Sequence, residues 1–154
     1  MKINATGLLS ILIAVSFLAA FVAALVQSGG GKTEPGTKML LHEVASVNEA
    51  LVMAEREGKT VMIDFNASWC PPCRSMKEEA FTDPSVAELL KDTLFVSVDV
   101  DHPGDNADSV EEFKPQALPT VVFLDSAGKA IGRIRGFGGV ASFKSEVRRI
   151  LRKT

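Results

Sequence analysis

Val61-Met62-Ile63-Asp64-Phe65-Asn66-Ala67-Ser68-Trp69-Cys70-Pro71-Pro72-Cys73 is an apolar run that ends in two cysteines with two prolines between them. From Thr60 to Phe65 only Asp64 interrupts the apolar character, which suits a strand covered on both faces of a sheet. Proline cannot continue a strand, yet it fits the first positions of a helix, where a backbone N–H lacks a partner anyway. The stretch therefore predicts a strand-to-helix junction with Cys70 as N-cap and Cys73 as third helical residue. A sulfur at an N-cap meets the positive end of the helix dipole and the free N–H of Cys73, and both stabilise the thiolate that attacks disulfides. Cys70 is expected to be the nucleophile and Cys73 the resolving thiol.

These are the chain's only cysteines. A zinc site needs four ligands, and beyond the two thiols the sequence offers His42 and His102 with no second closely spaced pair. No metal and no cofactor is expected. A purely structural disulfide is also a weak reading, because closing so short a loop contributes only roughly 2 kcal/mol in the chain-entropy model. Redox chemistry is the reading that remains.

The chain has 154 residues, enough for one domain and a tail, and its 46% hydrophobic content is inflated by the first 26 residues. A net charge of −2 gives no basic surface for nucleic acid, so no nucleic-acid partner is expected. Gly7 to Val26 is uncharged and rich in Leu, Ile, Val, Ala and Phe. At 1.5 Å per residue such a stretch spans the roughly 30 Å hydrocarbon core of a bilayer. We read residues 1–27 as a membrane anchor, with a cleaved signal peptide and a secreted or periplasmic product as the alternative. Either way the segment acts as an export signal and places the following domain outside the cytoplasm, where disulfides persist. Residues 28–38, rich in Gly and Ser, read as a flexible linker, and residues 39–154 as the globular domain.

Within that domain Met39 to Val44 is expected to form a short strand, and Ser46-Val47-Asn48-Glu49 a capping box opening a helix that Gly58 ends. The redox helix should run from Pro71 to about Ala80, and Pro84 should open a second helix through Leu90. Strands are expected at Leu94 to Val100, Val121 to Leu124 and Ala130 to Ile134, and helices at Asp108 to Phe113 and Ser142 to Leu151. Residues 101–106 read as a polar loop. His102 and the acids Asp99, Asp101, Asp105 and Asp108 are assigned no chemistry, because their spacing fits no calcium loop. This order implies one α/β domain with a mixed sheet and helices on both faces.

With Asp64 six positions before Cys70, Trp69-Cys70-Pro71-Pro72-Cys73, Leu118-Pro119-Thr120 before a strand and glycines near Gly136, the sequence resembles the thioredoxin family from about Leu40 to Leu151. Within that family it looks most like the C-terminal periplasmic domain of DsbD, through Val61-Met62-x-Asp64 and Phe81-x-Asp83-Pro84. The resemblance implies a thioredoxin-like fold. It also implies a redox-active Cys70–Cys73 pair, a cis Pro119 that binds an extended substrate segment together with Leu118 and Trp69, and Asp64 as the buried acid behind the cysteines. A carboxyl amid apolar residues is costly to bury, and desolvation should raise its pKa. Ser97 stands where thioredoxins commonly carry a lysine, and Lys77 where the DsbD domain carries an acid. The cation that some relatives place near this acid is accordingly expected to be absent, with Ser97 in its stead.

Taken together, the sequence predicts a membrane-anchored extracytoplasmic thiol–disulfide oxidoreductase that reduces protein disulfides. Its partners would be disulfide-bonded proteins and a membrane or thioredoxin-family electron donor. Alternatives are a disulfide oxidase or isomerase, and a thioredoxin-like chaperone or assembly factor for an exported metalloprotein.

Overall fold

The computed structural model describes residues 39–152. The expected anchor and the whole of the expected linker lie outside these residues. Among the described residues no helix is long and apolar enough to cross a membrane.

Helix α1 spans Val47–Glu57 and begins where the sequence places its cap: the Ser46 hydroxyl accepts the N–H of Glu49. Gly58, at φ 65°, closes it in the left-handed conformation that glycine adopts without steric cost. Strand β1, Thr60–Asn66, then runs through the middle of a four-stranded sheet. After it come α2 at Pro71–Ser75, a π-turn at Met76–Ala80, α3 at Pro84–Leu89 and strand β2 at Thr93–Asp99. A 3₁₀ turn at Gly104–Asn106 leads into α4 at Ala107–Phe113, followed by β3 at Thr120–Leu124, β4 at Ala130–Arg135 and α5 at Val140–Leu151. The sheet order is β2-β1-β3-β4; β1 and β2 are parallel, while β3 is antiparallel to both β1 and β4.

Strand alternation sorts the core into two layers. Val61, Ile63 and Phe65 of β1 join Leu94, Val96 and Val98 of β2 and Val122 and Leu124 of β3 against Ala50 and Ala54 of α1 and Phe113 of α4. On the opposite face Met62, Phe95, Val121 and Phe123 pack with Met76, Ala80, Val86 and, from α5, Phe143, Val147 and Ile150. Truncating a fully buried phenylalanine such as Phe123 to alanine would cost about 3–5 kcal/mol. Helices thus cover both faces, and Asp64, two residues after Met62 on β1, belongs to the face that carries the redox helix.

Two local expectations are corrected. The segment from Met39 to Val44 forms no strand, only an isolated parallel bridge between Glu43 and Phe95. Its two hydrogen bonds, Val44 N–H to Phe95 O and Phe95 N–H to His42 O, do not extend into a ladder. The redox helix is not uniformly α: from Met76 it widens to a π-turn that ends with Phe81 N–H donating to Met76 O. A side chain also ties down the polar loop after β2, since Asn106 Oδ1 accepts the N–H of Val47 at 2.8 Å and satisfies an orphan donor of α1.

Candidate active site

Cys70 is the N-cap of α2, with Pro71 and Pro72 in the first two helical positions and Cys73 in the third. Because the prolines carry no N–H, the Cys73 N–H is the amide donor that reaches Cys70 Sγ, at 3.3 Å. The two cysteines are joined in a disulfide with Cα atoms 5.3 Å apart. Both are buried in this oxidised form, Cys70 2% and Cys73 6% exposed. Exposure therefore does not rank them as nucleophiles; the cap position does.

Of the three residues assigned to the substrate, Leu118 borders the disulfide and Trp69 directly precedes Cys70 in sequence. Leu118 packs with Val100 against the small cluster formed by Ala67, Cys70 and Cys73. The Leu118–Pro119 peptide bond is cis, and the buried Pro119 carbonyl accepts the N–H of Gly136 at 2.7 Å. Trp69, by contrast, is 66% exposed, an unusual position for the chain's sole tryptophan. Its indole N–H donates to Asp101 Oδ2 at 2.6 Å, so Asp101, assigned no chemistry above, steadies the exposed ring.

Asp64 lies behind the pair. A pocket of about 140 Å³ is lined by Asp64, Asn66, Cys73, Lys77 and Ser97 among others, so the acid and the second cysteine share one cavity. The carboxyl is 4% exposed, and its Oδ1 has no hydrogen-bond partner. Burial disfavours the charged form and pushes the pKa up from 3.8 to about 7, against smaller opposing effects of the Asn66 amide and the Lys77 ammonium. The raised pKa matches the sequence reading, and Ser97 stands opposite the acid in place of a cation, but another cation reaches the site. Lys77, carried on the π-turn that follows α2, lines the pocket and favours the anion.

The sequence reading missed Asn66. Its position was nonetheless recoverable, because a residue two places after Asp64 on a strand shares its face. A carboxyl whose pKa burial pushes up to about 7, in one cavity with Cys73, suits proton transfer during thiol–disulfide exchange.

The family model described as thioredoxin-like matches residues 43–126, over half of the chain. The chain belongs to the thioredoxin-like family. Among its relatives is the thiol:disulfide interchange protein DsbD of Pseudoalteromonas atlantica, 34% identical over 106 residues, covering 67% of this chain and 18% of that protein. The DsbD of Photorhabdus laumondii is 33% identical over 102 residues, 64% of this chain and again 18% of the relative. The chain thus spans less than a fifth of the length of these relatives. Among solved structures, a thioredoxin from Thermus thermophilus superposes with a TM-score of 0.65 at 31% identity, covering 75% of this chain and 90% of its own. The DsbH oxidoreductase shares the fold at the same TM-score, with 24% identity, 82% of this chain and 96% of its own.

Proposed function

We propose that this chain is a membrane-anchored thiol–disulfide oxidoreductase that reduces disulfides of proteins outside the cytoplasm. The observation that carries the reading is the Cys70–Cys73 disulfide at the start of α2, with Cys70 capping the helix and Asp64 in the cavity beside Cys73. The name of the DsbD relatives, thiol:disulfide interchange protein, agrees with it.

In the reducing direction the Cys70 thiolate attacks one sulfur of a substrate disulfide and expels the other as a thiolate. Cys73 then gives its proton to Asp64 and attacks Cys70 Sγ, which releases the second substrate thiolate. The substrate gains two electrons and leaves as two thiolates, which take their protons from solvent, and the domain is left with the disulfide seen here and the Cys73 proton on Asp64. A dithiol donor must reduce it again. Leu118 beside the disulfide, the cis Pro119 and the exposed Trp69 are the residues assigned to hold an extended substrate segment.

The cap supports the reducing direction. With prolines at two helical positions, a single amide N–H faces Cys70 Sγ, so the thiolate is less stabilised than at a cap with three donors. A less stabilised reduced form makes a more reducing couple. The reduction potential of the domain should lie nearer the roughly −270 mV of thioredoxin than the roughly −120 mV of DsbA, and the reduced protein should reduce insulin. A potential near that of DsbA would make the protein an oxidase instead.

The anchor is the second part of the proposal. Gly7 to Val26 would hold the domain at the membrane through residues 28–38. Protease added to right-side-out vesicles should release a soluble domain and leave a membrane stub. A mature N-terminus after residue 24 would show cleavage, and full protection would place the domain on the other side.

A further inference from the structure

Asn66 takes no part in the exchange steps above, yet its side-chain amide reaches the buried acid directly. Nδ2 lies 3.1 Å from Asp64 Oδ2, 3.1 Å from the Asp64 carbonyl oxygen and 3.0 Å from Ser97 Oγ. The strand pattern explains this convergence: Asp64 and Asn66 are two residues apart on β1, and Ser97 stands opposite Asp64 on β2. A carboxamide nitrogen has two hydrogens, so three acceptors share two donors. Asp64 Oδ1, meanwhile, has no partner.

We propose that Asn66 is the positioning residue of the buried acid: its amide engages Asp64 Oδ2, so that the proton of the neutral carboxyl resides on Oδ1. An N–H directed at one carboxyl oxygen favours leaving that oxygen unprotonated, because a carbonyl oxygen accepts the bond and a hydroxyl there would bring a second hydrogen toward the donor. The same bond supports the anion, which burial disfavours. Without the amide, either oxygen would carry the proton and the anion would lose a donor.

The charged and titratable groups facing this site are few. Lys77 and Arg74 line the pocket from the redox helix and its π-turn, Glu43 from the segment before α1, and Cys73 from α2. Opposite Asp64 the neighbouring strands offer Ser97 and Val121, neither of them charged. Lys77 supports the anion from across the cavity and remains when Asn66 is replaced.

The inference rests on the reading of Asp64 as a proton carrier only for its consequence in exchange, and the test separates the two. In the oxidised full chain, the Asp64 carboxyl is titrated by ¹³C NMR, its resonance identified by its loss in Asp64→Asn. Asn66→Ala should raise the midpoint by about one pH unit, a tenfold gain in proton affinity. Ser97→Ala, at an exposed position, should lower the midpoint, because the hydrogen shared with the serine turns to the acid. An unchanged midpoint in Asn66→Ala, or a rise in Ser97→Ala, overturns the proposal, and the second holds even if the first variant does not fold. If the midpoints move as expected while the pH profile of mixed-disulfide resolution stays fixed, Asn66 positions the acid and the role of Asp64 in exchange fails.

Discussion

Asp64 on β1 stands opposite Ser97 on β2, and neither this pair nor Val121 on the other side brings a charge to offset the burial of the carboxyl. That burial has a measurable cost. An acid whose pKa rises on folding binds more protons in the native than in the unfolded state, so stability falls as pH rises from 3.8 to about 7. At about 1.4 kcal/mol per pH unit over roughly three units, the ionised carboxyl destabilises the oxidised domain by roughly 4 kcal/mol at pH 8. Asp64→Asn should therefore stabilise the oxidised protein by a few kcal/mol at pH 8 and hardly at all at pH 4. Denaturant melts at the two pH values decide it; equal gains at both would mean that the carboxyl is not desolvated as described.

The contact between Trp69 and Asp101 joins the turn before the cysteines to the loop after β2. Since Trp69 is the chain's sole tryptophan, its fluorescence reports this contact without interference. Asp101→Ala should lower the steady-state anisotropy of the indole and change global stability by less than about 1.5 kcal/mol, as expected for an exposed hydrogen bond. Unchanged anisotropy would show that the ring is held by other means.

In β4, a Cβ added at Gly132 would lie 2.5 Å from Ile150 Cγ1 and 2.7 Å from both Cδ1 and Cγ2. Ile150 is 1% exposed and has no room to retreat. Gly132→Ala should cost about 1–3 kcal/mol through overpacking, with the reduction potential unaffected because the contact lies at α5 and not at α2. A neutral melting temperature would show that α5 shifts freely.

The junction from β1 to α2 was legible because its signals are local: an apolar run, two prolines and a capping sulfur specify strand, turn and helix within 13 residues. The first strand was not, because the segment around Glu43 alternates well enough while only one rung of pairing with β2 forms, a matter of tertiary geometry. The π-turn escaped for the same reason, since Met76 to Ala80 carries no proline or glycine to mark a change of helical pitch. At the site, the burial of Asp64 followed from its apolar neighbours. Lys77 was noted only as a departure, and its approach to the pocket depends on how the helix winds after Ser75. The partnership of Trp69 with Asp101 spans 32 residues and has no sequence period to reveal it.

The central claim is that Cys70 attacks and Cys73 resolves, and covalent trapping tests it most directly. Reduced Cys73→Ala is mixed with a disulfide-bonded model protein and the products are weighed by mass spectrometry under non-reducing conditions, beside reduced Cys70→Ala. The account predicts a stable mixed disulfide on Cys70 in the first variant and little or none in the second. A mixed disulfide that accumulates on Cys73 in Cys70→Ala, with none on Cys70, would contradict it.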